Sequence, residues 1–259
     1  MTDHFPKKRL GQNFLIDPNI LRKIVQVIDP QPDDLIVEIG PGKGALTQYL
    51  LNSGAEIHAI ELDPQLVTYL QEILPDRPNF HLNHFDAVKF DYDAILNRGK
   101  KIKMAGNIPY NITSPLLFRF FEMIEHLDRI VLLVQKEIAR RICAQPGTKE
   151  YGILSVMTNF YCRPHIEFNV SPKVFRPVPK VTSSVILFVP IENKYKREFR
   201  IRFNELVRKA FNQRRKTLRN ALGILTLLES SGCPIDLSRR AETLTVDEFI
   251  TLTDWYYAR

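Results

Sequence analysis

The stretch Leu35-Ile36-Val37-Glu38-Ile39 runs directly into Gly40-Pro41-Gly42-Lys43-Gly44, and a helical pattern follows to about Leu51. No other feature restricts the possible folds as strongly. A short apolar run bounded by turn residues reads as a buried strand. Glycines directly after it let the backbone turn sharply and approach a ligand closely. Strand, glycine turn and helix in that order open an α/β sheet protein, with ligands expected at the carboxyl edge of the sheet. The segment Gly40-x-Gly42-x-x-Ala45 also satisfies the dinucleotide fingerprint, which tolerates Ala in last place. The turn alone therefore leaves the ligand class open, and a structural turn with no ligand is a third reading.

The strand–helix rhythm continues along the chain. Further strands are expected over 57–60, 80–82, 102–106 and 130–134, with helices over 18–28, from Pro64 onward, over 115–124 and over 136–143. This alternation predicts a mostly parallel sheet covered on both faces. Past Tyr151 the pattern changes. A helix is expected over 153–160, then two strands over 163–170 and 184–189. A Pro-rich link would join these strands as an antiparallel hairpin at one sheet edge. After a linker over 190–196, only helical patterns remain, over 199–212, 214–228 and 245–257. The expected organisation is a sheet domain over 1–193 and a small all-α domain over 194–259.

Composition narrows the class. The chain has 259 residues, 44% hydrophobic and 25% charged, which is ordinary for a soluble globular protein. No apolar run approaches the roughly 18 residues that span a bilayer, and no apolar segment follows the basic residues of the first nine, as a signal peptide would require. Cys143, Cys162 and Cys233 are widely spaced, without a Cys-x-x-Cys pair, which fits reduced thiols in the cytoplasm. Residues 194–219 hold eleven Lys/Arg against two Asp/Glu, a local charge of +9 in a chain whose net charge is +7. The rest of the chain is therefore net acidic. So local a basic block favours a polyanionic partner over a merely solvated helix face.

Three strand ends carry candidate chemistry. Glu61, closing the second strand, can accept hydrogen bonds from a ribose diol whether the ligand is a dinucleotide or another nucleoside. Asp86, after the third strand, suits an adenine amino group, and equally suits a helix cap or turn. Asn107-Ile108-Pro109-Tyr110 follows the fourth. Alone it fits an ordinary turn equally well. In this context it suits an exocyclic amino group on a flat base. Such a nitrogen is a poor nucleophile because its lone pair is delocalised. Two acceptors, the Asn107 side-chain oxygen and a neighbouring carbonyl, would draw it toward a tetrahedral shape. Pro109 fixes φ and holds Ile108 extended, aiming that carbonyl. Tyr110 offers a face for stacking, worth roughly 1–3 kcal/mol per base.

These blocks, taken together, resemble the KsgA-type small-subunit ribosomal RNA adenine dimethyltransferases of the Erm/KsgA family. The resemblance rests on Gln12-Asn13-Phe14-Leu15, on Glu38 to Thr47, on Ile60 to Asp63, on Asn107 to Pro115, on Pro177 to Ser184 and on Phe211 to Arg219, in that order. It covers nearly the whole chain, and the last block separates this branch from the Erm large-subunit enzymes. It implies a Rossmann-like class I methyltransferase domain over 1–193, with a basic N-terminal arm, and a helical RNA-binding domain over 194–259. It implies S-adenosyl-L-methionine as donor, held by Gln12, Asn13, Leu15, Gly40, Gly42, Glu61, Asp86 and Asn107. It places Asn107, Pro109 and Tyr110 at the target base, with Phe175 on the base's other side, in the manner of enzymes that flip a base. It implies two methyl groups on N6 of each of two adjacent adenosines near the 3′ end of 16S rRNA, in the small subunit or its precursor, and a coexisting role in subunit biogenesis. Arg214, Arg215, Lys216 and Arg219 would grip phosphates, which supply register and affinity but not base identity.

Direct transfer from a sulfonium needs neither a metal nor a covalent enzyme intermediate. No metal motif is present, and His81 and His84, three apart in a strand, face opposite sides. Rival readings are an NAD dehydrogenase, which leaves Asn-Ile-Pro-Tyr and the basic block unexplained, a DNA adenine methyltransferase, an Erm-like 23S rRNA methyltransferase, and a non-catalytic nucleic-acid-binding relative.

Overall fold

The computed structural model describes residues 12–75, 77–96, 99–109, 112–192, 194–213, 215–224 and 231–258. In chain order these form β1 (Phe14–Leu15), α1 (Pro18–Ile28), β2 (Leu35–Ile39), α2 (Ala45–Leu51), β3 (Glu56–Glu61), α3 (Pro64–Ile73), β4 (Phe80–His84), α4 (Asp93–Leu96) and β5 (Ile102–Asn107). Then come α5 (Thr113–Glu122), β6 (Leu127–Gln135), α6 (Lys136–Ile142), α7 (Ile153–Tyr161), β7 (Cys162–Val170), β8 (Phe175–Arg176), β9 (Ser183–Pro190), α8 (Arg197–Asn212), α9 (Leu218–Leu222) and α10 (Val246–Tyr257). The chain forms two compact units, one of residues 1–139 with 165–190, the other of 140–164 with 191–259. The stretch 140–164 thus packs with the helical unit, although it lies within the first 193 residues.

Seven strands form one sheet in the order β4-β3-β2-β5-β6-β9-β7. β2 pairs in parallel with both β3 and β5, β3 with β4, and β5 with β6, whereas β9 runs antiparallel to β6. The sheet is Rossmann-like and mostly parallel, with the antiparallel element at one edge. Chain order reverses across the β2–β5 seam, and there the outgoing loops diverge and leave a crevice. Gly106 makes the seam close. A Cβ built there would stand 2.6 Å from the Ile39 carbonyl oxygen, so only glycine fits.

Two helices on this sheet start by one device. Asp17 accepts from the N–H groups of Asn19 and Ile20, Asp63 accepts from that of Gln65, and a proline opens each helix. An acidic cap satisfies orphan N–H groups and opposes the positive helix end, while proline at the first position loses no bond. Ile57, Phe80 and Leu82 face a core with Leu50, Leu70 and Leu74.

Three local differences from expectation stand out. The stretch before Pro18, for which no strand was expected, contributes β1, which pairs antiparallel with β8, Phe14 opposite Arg176 and Leu15 opposite Phe175. Two residues are too few to leave a periodic signal. The short helix α4 was not expected, for the same reason. Of the helix expected over 214–228, the described residues form Leu218–Leu222, closed by Gly223 at φ 74, while 214 and 225–228 lie outside the described residues. Glycine in the left-handed region is the usual C-terminal stop.

In the second unit, Phe160 stacks on Phe203 at 3.9 Å between ring centroids, Phe211 stacks on Phe249, and the buried Tyr151 hydroxyl donates to the Leu244 carbonyl at 2.8 Å. Among the described residues no helix is long and apolar enough to cross a membrane.

Candidate active site

The carboxyl ends of β2, β3, β4 and β5 enclose a cavity of about 440 Å³. Its walls are the strand end and turn from Glu38 to Lys43, then Ile60 to Leu62, Phe85 to Ala87, and Gly106 to Pro109, with residues 12–16 closing one side. Gln12, Asn13, Leu15, Gly40, Gly42, Glu61, Asp86, Asn107 and Pro109, scattered over almost a hundred positions, therefore line one space. Tyr110 lies outside the described residues. Phe175 does not line the cavity. Its ring is 1% exposed and sits in the core beside Leu15.

Glu61 is bound into the floor of the cavity. Its Oε1 accepts from the N–H groups of Leu62 and Asp63, both at 2.9 Å, and its Oε2 accepts from the Gly42 N–H at 3.1 Å. Burial raises its pKa, while these three donors pull it back. A carboxylate has about four acceptor positions, so roughly one remains, on Oε2. The three bonds set the orientation of this remaining acceptor, which is able to take a hydrogen bond from a hydroxyl group. Gly42 makes the geometry possible. Its φ is +60°, and an added Cβ would stand 3.0 Å from the Phe14 ring. Phe14 thus presses on the turn from above, with the Lys43 ammonium 5.6 Å from the ring centroid. The Gln12 amide donates to Asp63 Oδ2 at 2.9 Å, tying the same arm to the cap of α3.

Glu38 has the opposite environment. It is 2% exposed, and its Oε2, like the Thr47 hydroxyl oxygen, has no hydrogen-bond partner among the described residues. Burial pushes its pKa up to about 7. The nearby Thr47 hydroxyl opposes the rise without reaching bonding geometry, and the Glu61 charge adds to it.

Asn107 ends β5. Its Nδ2 donates to the Asn13 carbonyl at 2.8 Å. A backbone carbonyl can only accept, so this contact fixes which end of the amide faces the arm and turns Oδ1 the other way. The Ile108 N–H donates to the Leu133 carbonyl at 3.1 Å, and the Ile112 N–H donates to the Pro109 carbonyl at 3.1 Å. At β4, Asp86 Oδ1 accepts from the Val88 N–H at 3.0 Å. Its turn role and a ligand role are thus compatible, since the second oxygen makes no hydrogen bond among the described residues.

Sequence reasoning overlooked the apolar rim. Leu62 and Phe85, each 49% exposed, follow β3 and β4 and line the cavity. Large apolar side chains left half in water next to a polar floor suit a flat ring. The available signal was their position directly beside Glu61 and Asp86. In the second unit Arg215 and Lys216 are exposed and Arg219 is half-buried, while Arg214 lies outside the described residues.

The family profile Ribosomal RNA adenine dimethylase matches residues 4–257. The Ribosomal RNA small subunit methyltransferase A of Pseudoalteromonas translucida is 42% identical over 264 residues, spanning 99% of this chain and 98% of that relative. The protein of the same description from Alkaliphilus metalliredigens is 44% identical over 97% of this chain and 92% of its own length. Among solved structures, a dimethyladenosine transferase from Plasmodium falciparum superposes with a TM-score of 0.77 at 26% identity, covering 92% of this chain and 95% of that one. The 23S rRNA methyltransferase ErmE gives 0.70 at 22% identity over 94% and 99%.

Proposed function

The chain belongs to the ribosomal RNA adenine dimethylase family, and from that premise we propose that it is an S-adenosyl-L-methionine-dependent enzyme that places two methyl groups on N6 of each of two adjacent adenosines near the 3′ end of 16S rRNA. Relatives named for the small subunit, at 42% and 44% identity, support that substrate. ErmE, at 22% identity, speaks to the fold alone. We place the work in the cytoplasm, on the small subunit or its precursor, where the same binding would also serve subunit biogenesis.

The observation that carries this reading is the anchored Asn107 amide. With Nδ2 held by Asn13, Oδ1 is a fixed acceptor for one N–H of an adenine amino group. The Pro109 carbonyl is occupied by the Ile112 N–H, so the second acceptor is assigned to the Ile108 carbonyl. Two fixed acceptors localise the nitrogen lone pair before attack, and prepaid orientation of this kind lowers a barrier by several kcal/mol. After one transfer a single N–H remains, so the monomethylated nitrogen must rotate to present it. After two transfers no donor remains, and the product is held less tightly.

The cavity fits the donor. Glu61 keeps an acceptor for a ribose hydroxyl, Asp86 keeps one for the adenine amino group, and Leu62 and Phe85 offer apolar walls to the purine. Gln12, Asn13, Leu15, Gly40 and Gly42 complete the enclosure. When bound, the donor supplies a methyl group on a positively charged sulfur. Tyr110 and Phe175 would hold the target base between two rings, which requires the buried Phe175 ring to be uncovered as the base enters. We assign residues 1–193 to methyl transfer and 194–259 to RNA binding, with Arg214, Arg215, Lys216 and Arg219 on phosphates.

Tritiated methyl transfer to small subunits lacking the modification, followed by nucleoside analysis, tests the proposal. N6,N6-dimethyladenosine is expected, and its absence refutes it. Asn107→Ala should slow both transfers by about 100-fold, as loss of one oriented partner does elsewhere. Charge reversal at Arg214, Arg215 and Lys216 should weaken RNA binding and flatten its salt dependence. An unchanged salt slope would remove those residues from the interface.

A further inference from the structure

Away from the cavity, in the amino-terminal halves of β3 and β4, three ligating side chains converge. His58 and His81 are direct partners in the parallel β3–β4 ladder. Glu56 precedes His58 by two residues, so it shares its face of the sheet. Ile57, Phe80 and Leu82 point into the core on the other face. Glu56 Oε1 lies 3.0 Å from His58 Nε2 and 3.1 Å from His81 Nε2, and all three ligand atoms fall within 4.8 Å of one another. The imidazole rings stack with centroids 4.5 Å apart and planes 28° from parallel. His58 is buried at 8% exposure, and His81 keeps 42% of its side chain in solvent, so the group is preformed yet reachable.

We propose that Glu56, His58 and His81 form a binding site for a divalent transition cation of the zinc class. Zinc takes imidazole nitrogen and carboxylate oxygen at about 2.0–2.2 Å. Tetrahedral angles then separate ligand atoms by about 3.3–3.4 Å, only a few tenths of an ångström beyond the two short separations found here. Two imidazoles with one carboxylate suit zinc, nickel or copper, whereas calcium and magnesium prefer an all-oxygen shell. The Glu56 carboxylate now accepts from the His58 Nε2–H, and His81 Nε2 lies 3.1 Å from the same oxygen. On binding, the ion takes the Nε2 lone pair of each ring. A neutral ring protonated on Nε2 exchanges through solvent to the Nδ1–H tautomer with no net release, and an imidazolium gives up its Nε2 proton to solvent.

The location sets the role. β4 is the edge strand of the sheet, and an edge strand is paired on one side only. An ion held by His81 on one side and by His58 and Glu56 on the other clamps the edge to its neighbour. Glu56 and Glu61 stand at opposite ends of β3, about 17 Å apart along the strand at its usual rise, so the ion takes no part in methyl transfer.

Calorimetric titration of the full-length, chelator-stripped chain with zinc chloride tests the site. One saturable equivalent is expected, weakened in His81→Ala and in Glu56→Gln by at least the roughly 10–100-fold that losing even an outer-shell partner costs. His81→Asn, which keeps size and polarity, should behave as His81→Ala. A Cys143→Ser/Cys233→Ser variant and His84→Ala should bind as the parent does. Cobalt in place of zinc should give visible bands without thiolate charge transfer, lost in His81→Ala. No saturable binding, equal binding by His81→Ala, or loss of binding in the cysteine variant would overturn the proposal.

Discussion

Two buried carboxylates face the same cavity and live under opposite conditions. Glu61, at the end of β3, accepts three backbone N–H groups. Glu38, one strand over in β2, has an oxygen with no hydrogen-bond partner among the described residues. Burial raises both pKa values, and the difference lies in what opposes it. Around Glu61 the chain turns its own backbone into a set of donors, which oppose the rise that burial causes and fix the carboxylate's orientation. Around Glu38 the opposing group is one threonine hydroxyl, and the group sits near half-protonation at neutral pH. Proximity to the site does not decide how strongly the burial of a carboxylate is opposed; the supply of N–H groups does.

The sharpest way to break this contrast is Glu61→Gln. An amide cannot accept on both sides, so the Gly42 N–H would face another N–H while the ribose hydroxyl loses a charged acceptor. Donor affinity measured by calorimetry should fall about 1000-fold, roughly 4 kcal/mol. A change under tenfold would mean that Glu61 only braces the turn.

Glu38→Gln should act on stability, with a sign that depends on pH. The folded protein holds this proton more tightly than the unfolded chain does, since the pKa rises from 4.5 to about 7. Between those values folding takes up a proton, so stability falls as pH rises, and above about 7 the loss is complete. The variant should therefore be more stable than the parent by about 3 kcal/mol at pH 8. The gap should close toward pH 4. Urea unfolding across that range reads the slope directly, and a pH-independent gap would place the raised pKa elsewhere.

Leu62→Ala should produce the smallest effect. The side chain is half-exposed, so stability should move by less than about 0.5 kcal/mol. Donor affinity should drop about fivefold, through roughly 1 kcal/mol of lost apolar contact. Equal losses in stability and affinity would show that the rim is structural.

Much of this molecule was legible in the chain because its signals are local. The apolar run 35–39 with its glycines yields β2 and the turn at Gly42, and Asp-Pro at 17–18 and 63–64 yields two capped helix starts. Strand ends placed Glu61, Asp86 and Asn107 at one edge, since parallel strands share a direction. Other features left no such trace. The pairing of β1 with β8 joins residues 160 positions apart through two residues each. Phe175 reads as a stacking ring by motif position, yet the fold buries it beside Leu15. Histidines were weighed along one strand, where His81 and His84 diverge, while the neighbour that matters to His81 is His58, across the ladder.

Sequence alone thus decided the sheet class, the order of its parallel strands' chemistry and the family, because hydrophobic period, glycine turns and motif blocks are properties of short windows. Tertiary structure alone decided which carboxylate receives backbone N–H donors, which end of the Asn107 amide faces the cavity, and which three side chains meet on the far side of the sheet. Those outcomes depend on burial and on partners supplied by other strands, and neither quantity exists until the chain has folded.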